Sequence, residues 1–446
     1  MRVITYGTFD LFHEGHRRLL ARAKELGTHL TVGVTTENFD DARGKLNVHQ
    51  SLMERIRNVQ DSGLADEVII EEYEGQKIHD LQKYDIDVFA IGSDWLGAFD
   101  YLRDYCEVVY LDRTKGISST ELRAEKRAVV RIGVVGSGRI ANRFAAEALF
   151  VSGIHVEGVY SRNPDNVRRY AERHQLAVQA SSYSQLLANV DAVYIATPHE
   201  THYDYARQAL SQGKHVLCEK PLTLQADQAA MLTKHATDRG LVLMEAIKTA
   251  FAPGFQRMIA VARSGSIGDI RSVDATFTKL EYGDLRELRG ESGGSISELG
   301  SYPLLAIIKL LGTDYLDVST YSTRDSESGV DVFSRIDLVY PHAIASARVG
   351  LGVKAEGDLV VGGTKGYLYV PAPWWKTEYF EARFEDQTQN KRYYYKFDGD
   401  GLRYEIAEFV SMITSGSTET FKLRPTESIA IARIIENARS RAISFG

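Results

Sequence analysis

The chain has 446 residues, of which 44% are hydrophobic and 25% are charged, and its formal net charge at pH 7 is −7. This composition is typical of a soluble globular protein, and the length predicts about three domains. Proteins built to bind nucleic acid usually carry a basic face, so the acidic balance argues against a nucleic-acid partner.

The cysteines and the N-terminus predict a cytoplasmic protein. Cys106 and Cys218 are far apart and neither belongs to a CxxC motif, so we expect a reducing compartment without a disulfide framework or a structural zinc site. The opening MRVITYGTFD has neither the charged nor the apolar region of a signal peptide. Because the chain has no apolar run of about 18 residues, we expect no membrane span. We assign no side chains as metal ligands.

Short apolar strands alternate with helical patterns in the first part of the chain. The helical pattern Gly15–Leu26, for example, places Leu19, Leu20 and Ala23 on one face. Such alternation predicts a parallel, doubly wound sheet with ligands at the carboxyl ends of its strands. The predicted strands are Arg2–Gly7, His29–Thr36, Asp66–Glu71, Asp87–Ile91 and Glu107–Leu111.

A second alternating run begins at Ala128–Val135, and a different pattern follows from about residue 250. We predict an α/β protein with domains at 1–127, 128–249 and 250–446, the last an α+β domain with a mainly antiparallel open sheet. Further strands of the second run are Ile154–Tyr160, Ala192–Ala196, His215–Cys218 and Leu241–Met244. The later elements are the strand runs Val330–Tyr340, Ala343–Gly352, Asp358–Val370 and Tyr379–Glu385, and the helices Arg403–Ser415 and Thr426–Ala442.

Two histidines open the first helix, directly after the first strand. His13 and His16 are three residues apart, so they project from one face of the first helical turn. A helix N-terminus is an anion site, and two imidazoles there can donate hydrogen bonds to a phosphoryl group in transfer. Gly15 lets a phosphate approach the backbone. The alternative, two surface histidines on a helix, is disfavoured by the preceding strand and Gly-Thr-Phe-Asp.

Residues 1–127 resemble the glycerol-3-phosphate cytidylyltransferases, which belong to the HxGH nucleotidyltransferases. The segments that carry the resemblance are VITYGTFDLFHEGH, IDVFAIGSDW and CEVVYLDRTKGISST. The last contains the second signature of that family, R-T-x-G-I-S-[ST]-T. The resemblance implies a Rossmann-like fold and transfer of CMP from CTP to a phosphate oxygen, with loss of pyrophosphate.

The same resemblance assigns roles to residues of the first domain. His13 and His16 would stabilise the transition state at the α-phosphate of CTP, and Lys45 and Arg113 would neutralise phosphate charge. Mg²⁺ would offset charge on the triphosphate. The residues expected to bind CTP are Gly7, Thr8, Phe9, Asp10, Asp94, Trp95, Ser118 and Thr120.

Two departures from the family pattern leave the acceptor open. Ser93 stands where the family often has an acid, and the loop between Lys45 and Arg55 is one residue longer than usual. The acceptor is therefore either a polyol phosphate like glycerol 3-phosphate or a sugar phosphate.

Gly136-Ser137-Gly138-Arg139-Ile140-Ala141 follows a buried strand and opens a helix, which is the required context of a G-x-G-x-x-G/A fingerprint. The first glycine permits the tight turn and the second lets a pyrophosphate approach. A glycine-rich turn without a ligand is disfavoured by the strand on either side. The second strand ends in Ser161-Arg162-Asn163 rather than in an acid, which suits a 2′-phosphate. We therefore expect NADP(H), with NAD(H) as the alternative.

Residues 129–446 resemble the Gfo/Idh/MocA oxidoreductases, particularly the branch with dihydrodiol dehydrogenases and glucose–fructose oxidoreductase. ATPHETHYDYARQALSQGKHVLCEKPL, GTKGYLYVPAPWW and GLRYEIAEFV carry the resemblance. It implies that Lys220 of the Glu-Lys-Pro motif lies beside the nicotinamide and the reacting carbonyl, where its ammonium can donate to a developing alkoxide. The cofactor-binding residues expected from fingerprint and resemblance together are Gly136, Gly138, Arg139, Ile140, Ser161, Arg162, Thr197, Pro198, His202, Glu219 and Lys220.

The segment Gly293–Pro303 supplies the other catalytic residues implied by the resemblance. Tyr302 occupies the position at which the dihydrodiol branch has tyrosine, so it would pass a proton to the alkoxide with help from Lys220. Glu298 stands at the usual aspartate position, and Ala250 where the branch often has arginine. These departures leave the carbonyl substrate open.

The two resemblances together predict a bifunctional enzyme that makes a CDP-polyol, a donor for capsule or teichoic-acid-like polymers. Reduction of a sugar phosphate precedes cytidylylation, or a sugar phosphate such as fructose 6-phosphate is cytidylylated first and then reduced. The alternatives are a cytidylyltransferase with a non-catalytic module that senses NADP(H), and a binding scaffold. Both families commonly self-associate, so the resemblance also implies a dimer or tetramer.

Overall fold

The computed structural model describes residues 1–10, 12–36, 48, 50–72, 75–112, 129–281, 286–290 and 292–445. The chain forms two compact units. One comprises Met1–Val130, Ala148–His155 and Ala171–Ala177, and the other comprises Arg131–Glu147, Val156–Tyr170 and Val178–Gly446. The predicted domain boundaries at 127 and 249 stay predictions.

The N-terminal unit is built on a five-stranded parallel sheet with strand order β3-β2-β1-β4-β5. Most residues of the two central strands β1 and β2 are buried, as expected for a parallel sheet covered on both faces. All five predicted strands are confirmed, and the predicted first helix is shifted by one residue. The strands are β1 Arg2–Gly7, β2 His29–Thr35, β3 Glu67–Glu71, β4 Val88–Gly92 and β5 Glu107–Leu111, and the helices are α1 Glu14–Glu25, α2 Leu52–Asp61 and α3 Gln76–Lys83.

The second sheet has six strands in the order β11-β10-β9-β6-β7-β8. Its pairings β11–β10, β10–β9, β9–β6 and β7–β8 are parallel, which confirms the predicted doubly wound architecture. The strands are β6 Val130–Val135, β7 Ile154–Tyr160, β8 Val178–Gln179, β9 Ala192–Ile195, β10 His215–Glu219 and β11 Leu243–Ala246. The helices are α4 Arg139–Ala148, α5 Pro164–His174, α6 Tyr183–Asn189, α7 His202–Ser211 and α8 Ala226–Asp238.

The third sheet has nine strands in the order β19-β18-β17-β16-β12-β15-β14-β13-β20. It is mainly antiparallel, as predicted, but β12 pairs with β15, and β13 with β20, in parallel. The strands are β12 Ile270–Thr278, β13 Asp317–Arg324, β14 Asp331–Val339, β15 Ile344–Gly350, β16 Leu359–Gly363, β17 Tyr367–Val370, β18 Tyr379–Arg383, β19 Lys391–Tyr394 and β20 Ile443–Phe445. The helices are α9 Pro253–Arg263, α10 Ser295–Leu299, α11 Ser301–Leu311, α12 Leu402–Ser415 and α13 Pro425–Arg441.

One predicted element of this sheet is wrong. The run Asp358–Val370 was expected as one strand, but it is a hairpin of β16 and β17. Gly363 N–H donates to Gly366 O at 2.9 Å and closes the turn between them. Within the described ranges, the chain contains no helix of the length and apolarity that a membrane crossing needs.

The short helix α10 is held at its N-terminus by a carboxylate from β14. Asp331 Oδ2 accepts hydrogen bonds from Ile296 N at 2.9 Å and from Ser334 Oγ at 2.8 Å. Ser295 Oγ donates to Asp331 O at 3.0 Å. Burial raises the pKa of Asp331 to about 6. This carboxylate therefore fixes the helix that carries Glu298, at the cost of burying a charge above that pH.

We expect Asp331→Asn to gain stability relative to the wild type as the pH rises from 5 to 7. Because the folded pKa is raised, the wild-type carboxyl stabilises the fold at low pH, and this contribution falls between about pH 4 and 6, by roughly 1 kcal/mol from pH 5 upward. Differential scanning calorimetry of both proteins at pH 5 and pH 7 measures the change. Asp325→Asn is the control, because hydrogen bonds lower the pKa of that exposed carboxyl, so it does not titrate between pH 5 and pH 7. An unchanged difference in Tm for Asp331→Asn contradicts the expectation.

Candidate active sites

The two histidines of α1 cap the helix reciprocally. His13 Nδ1 accepts from Gly15 N at 3.0 Å and from His16 N at 3.4 Å, while His16 Nδ1 accepts from His13 N at 3.4 Å. Their rings stack with centroids 3.8 Å apart. A ring nitrogen that accepts carries no proton, so each neutral imidazole has its N–H at Nε2. The cap thus fixes two side-chain donors at a helix N-terminus, where an anion binds favourably.

Gly15 and Phe9 support this pair. A Cβ atom at Gly15 would lie 2.8 Å from His13 Cε1, so the cap itself requires glycine there. Phe9 has φ +51° and is 1% exposed, and its ring lies edge-on to His16 with centroids 5.4 Å apart. The buried ring of Phe9 therefore supports His16 from the core, and its predicted place in the nucleotide pocket stays a prediction.

A buried arginine that the sequence reasoning missed holds the neighbouring loops. Arg55 on α2 is 0% exposed and donates to Thr8 O at 2.9 Å, Gln50 O at 3.0 Å and Thr35 O at 2.8 Å. Asp10 in turn accepts from Gln50 N at 2.9 Å. Arg55 therefore joins the loops that leave β1 and β2. Its place four residues before Val59 on the apolar face of α2 was the available signal.

A buried polar cluster lies on the other face of the sheet. Lys77 is paired with Glu71, and its Nζ lies 4.5 Å from the centroid of the Tyr6 ring. Tyr6 Oη donates to Asp80 Oδ2 at 2.9 Å, and burial raises the pKa of that phenol. Tyr6 is the penultimate residue of β1 and Glu71 ends β3, so this cation lies at the carboxyl ends of the strands, where ligands of such sheets bind. The sequence reasoning did not find Lys77.

The other predicted CTP-binding residues divide into two groups. Gly7 ends β1 and precedes Thr8, and Asp94 and Trp95 belong to the short 3-10 helix Ser93–Trp95 that follows β4. Lys45, Arg113, Ser118 and Thr120 lie outside the described residues.

A cavity of about 830 Å³ opens where β6, β7, β9 and β10 end. Gly136, at the end of β6, has φ +103°, and a Cβ atom there would lie 2.4 Å from Ala196 O, so the turn requires glycine. The predicted residues that line the cavity are Gly136, Gly138, Arg139, Ile140, Ser161, Arg162, Thr197, Pro198, Glu219, Lys220, Glu298 and Tyr302.

His202 is not among the lining residues. It is 0% exposed, with Nδ1 2.9 Å from Pro221 O and Nε2 3.0 Å from Thr197 O. That His202 binds the cofactor stays a prediction. The ring joins the two loops that carry Thr197 and Lys220, and so positions them.

Lys220, Glu298 and Tyr302 meet on the cavity wall. Lys220 Nζ donates to Glu298 O at 2.8 Å, lies 3.7 Å from Glu298 Oε2, and lies 6.0 Å from the centroid of the Tyr302 ring. Burial, with the carboxylates of Glu219 and Glu405, raises the pKa of Tyr302. The phenol therefore keeps its proton at neutral pH and can act as an acid.

Three family models match the chain. "Cytidylyltransferase-like" matches residues 4–125, "Oxidoreductase family, NAD-binding Rossmann fold" matches 130–247, and "GFO/IDH/MocA C-terminal domain" matches 255–369. The glycerol-3-phosphate cytidylyltransferase of Bacillus spizizenii is 52% identical over 124 residues, which are 28% of this chain and 95% of the relative. The chain is a cytidylyltransferase fused to a GFO/IDH/MocA-family oxidoreductase.

Relatives of the oxidoreductase part cover most of the remaining chain. The trans-1,2-dihydrobenzene-1,2-diol dehydrogenase of Macaca fuscata fuscata is 29% identical over 327 residues, which are 70% of this chain and 97% of the relative. A crystal structure of a 3-ketoreductase from Actinomadura kijaniata, in complex with TDP-benzene and NADP, is 27% identical with a TM-score of 0.63. That match covers 71% of this chain and all of the ketoreductase chain.

The oxidoreductase cavity contains more charge than the motifs indicated. Burial raises the pKa of Glu219 and of Glu405 on α12, and lowers the pKa of Lys248. Trp375 stacks on Phe277 with ring centroids 3.6 Å apart, and both rings line the cavity. These residues come from five separate segments, so no local motif joins them.

The described residues of the fusion contain no group of three or more histidine, cysteine, aspartate or glutamate side chains that could hold a metal ion.

We expect His13→Asn to separate catalysis from helix capping. Asparagine is a good N-cap but places no donor where the imidazole Nε2–H lies, so the variant should keep its Tm and lose about 10²–10³-fold in the rate of CMP transfer. His13→Ala should lose the same activity and about 1 kcal/mol of cap stability as well. Pyrophosphate release from CTP and calorimetry measure the two effects. A His13→Asn protein with more than about a tenth of the wild-type rate argues against the role of the ring, given the expected loss.

Proposed function

We propose that this bifunctional enzyme makes a CDP-polyol. The cytidylyltransferase transfers CMP from CTP to a small polyol phosphate or sugar phosphate, and the oxidoreductase reduces the sugar carbonyl with NADPH before or after that step. The observation that carries the proposal is the presence in one chain of both reacting sets, the paired histidines of α1 and the Lys220–Tyr302 pair of the cavity. The product would be a cytoplasmic donor of a polyol phosphate unit for a capsule or teichoic-acid-like polymer.

In the transfer, an oxygen of the acceptor phosphate attacks the α-phosphorus of CTP. The bond from that phosphorus to the bridging oxygen breaks, and pyrophosphate leaves. The Nε2–H groups of His13 and His16 donate to the phosphoryl oxygens as their charge grows. Lys45 and Arg113, assigned from the resemblance, would neutralise the triphosphate together with Mg²⁺.

In the reduction, NADPH supplies the hydride to the carbonyl carbon. Lys220 is held by Glu298 and directs its ammonium toward the carbonyl oxygen, where it lowers the energy of the negative charge that develops. Tyr302 gives its phenolic proton to that oxygen, because an alkoxide is a stronger base than a phenolate and the nearby Lys220 ammonium favours the phenolate. The alkoxide becomes the hydroxyl of the polyol, and the positive charge of Lys220 stabilises the phenolate until it is protonated again.

The relatives support both orders of reaction. The 52% identity to a glycerol-3-phosphate cytidylyltransferase favours a polyol phosphate acceptor, so that reduction comes first. The compound bound in the related ketoreductase, TDP-benzene, contains a nucleotide, and this favours reduction after cytidylylation.

The order is tested by pyrophosphate release from CTP and Mg²⁺ without NADPH. The acceptors are glycerol 3-phosphate, polyol phosphates, and ketose and aldose phosphates. Preference for a polyol phosphate places reduction first, and preference for a sugar phosphate places cytidylylation first. If no acceptor of this panel supports pyrophosphate release, the proposed transfer is contradicted.

We expect Tyr302→Phe to lower kcat for NADPH oxidation by about 10²–10³-fold, because the alkoxide loses its proton donor. The KM for NADPH and the rate of CMP transfer should stay unchanged, and CMP transfer in the same chain is the control for folding. Full reductase activity in this variant removes Tyr302 from the mechanism. If the wild-type protein fails to oxidise NADPH with every sugar phosphate and CDP-sugar tried, the result supports the sensing alternative instead.

We propose NADP(H) as the preferred cofactor. Ser161 and Arg162 follow β7 and line the cavity, and Arg162 is exposed. Strand β7 is followed by these two residues rather than by an acid, whose negative charge would repel a 2′-phosphate. Arg162→Gln should raise the KM for NADPH about tenfold, because it removes a charge-assisted hydrogen bond. The KM for NADH is the control and should not change. Equal KM values for the two cofactors in the wild type contradict the preference.

A further inference from the structure

One corner of the oxidoreductase cavity gathers three cations around a single aspartate. Arg143 Nε lies 3.4 Å from Asp400 Oδ2, and Lys376 Nζ lies 3.9 Å from Asp400 Oδ1. Lys248 Nζ donates to Asp400 O at 2.6 Å. All four residues line the cavity, and we call them the basic corner. None of them belongs to the motifs that identified the two active sites.

The position of Asp400 is fixed from behind by a buried ion pair. Glu147 at the end of α4 accepts from Asp400 N at 3.3 Å and from Arg403 Nε at 2.9 Å. Arg403 Nη2 also donates to Glu147 at 2.8 Å, and both side chains are buried. Because breaking such a pair leaves a buried charge without its partner, the turn that carries Asp400 is held in one place.

The charges in this corner do not cancel. Three cations face one carboxylate, which leaves an excess of positive charge. Lys248 also interacts with the carboxyl groups of Glu219 and Glu405, so the excess of positive charge is carried mainly by Arg143 and Lys376. An anion of one or two negative charges would complete the balance, and lysine and arginine are the usual partners of phosphate.

The basic corner and Tyr302 line the same cavity. Arg143 lies on α4, the helix that starts at the glycine-rich turn, and its charge acts on Tyr302. Lys248 follows β11, and its charge interacts with Glu219 of the Glu-Lys-Pro motif. An anionic group bound here would hold a carbonyl compound beside Lys220 and Tyr302.

We propose that Lys248, Lys376 and Arg143 bind the phosphate group of the compound that the oxidoreductase reduces. The corner then selects a phosphate ester, either a sugar phosphate or a CDP-linked sugar, over the neutral sugar. This proposal rests on the proposed reductase function and names the chemical class of its substrate.

The test uses the full chain saturated with NADPH, whose fluorescence reports on this cavity and not on the cytidylyltransferase site. The probes are fructose 6-phosphate, CDP and fructose. We expect fructose 6-phosphate, CDP or both to change the fluorescence saturably, and fructose to have no effect at the same concentrations. Binding of the first probe alone identifies a phosphate monoester as the ligand, and binding of CDP identifies a nucleotide diphosphate.

Lys248→Met and Lys376→Met should each weaken that binding about tenfold, because each removes one charge-assisted contact. Lys376 is partly exposed, so its variant tests the proposal even if the half-buried Lys248 cannot be replaced. Lys214→Met is the matched control, since Lys214 also donates to a backbone carbonyl, Val190 O at 2.9 Å, but does so at the opposite edge of the same sheet. The control should bind as the wild type does.

Two results would overturn the proposal. In one, both variants weaken NADPH and leave the phosphate probes unaffected, which assigns the corner to the pyrophosphate of the cofactor. In the other, fructose binds as well as its phosphate. The binding measurement does not need turnover, so a protein that binds the phosphate probes but reduces no carbonyl refutes the proposed reduction and retains the corner. Where turnover occurs, the variants should raise the KM for the carbonyl compound about tenfold while kcat stays within a few-fold of the wild type.

Discussion

The unpaired N–H groups at the start of a helix are the interaction on which these sites depend. The first turn of a helix has no internal partner for its N–H groups, so something outside the helix must accept from them. At α1 the acceptors are two imidazole nitrogens, and at α10 the acceptor is the carboxylate of Asp331. At α4 the glycine-rich turn places the start of the helix at the cavity, where its N–H groups can bind a pyrophosphate. Chemistry and architecture therefore use the same backbone property in three different ways.

The structural features that could be predicted from the sequence are those encoded by short, continuous segments of the chain. Alternating strands, the paired histidines and the glycine fingerprint each lie within about a dozen neighbouring residues, so their spacing alone indicates the structure. The placement of Lys220 and Tyr302 on one cavity wall needed a family resemblance, because 81 residues separate them in the chain.

What the sequence did not reveal depends on contacts between distant segments. Arg55 and Lys77 are charged residues in the interior, and a single chain gives little sign that a lysine or arginine is buried. The burial of the Phe9 and His202 rings was also not evident from their motifs, because a motif specifies spacing and not the direction of each side chain. The hairpin of β16 and β17 was missed although Gly362-Gly363-Thr364-Lys365-Gly366 carries the glycines of a turn.

The parallel pairing of β12 with β15 at the centre of the large sheet has a consequence for how the oxidoreductase can be assembled. Parallel neighbours cannot be joined by a tight turn, so the chain between them must leave the sheet and return. The chain leaves the sheet through α10 and α11, which carry Glu298 and Tyr302, and returns through β13 and β14 before it reaches β15. The two central strands and Tyr302 thus belong to one continuous stretch of chain. A break or transposition within residues 279–343 would interrupt the connection from β12 to β15 together with the segment that carries Tyr302, whereas the strands from β16 to β19 lie outside that stretch.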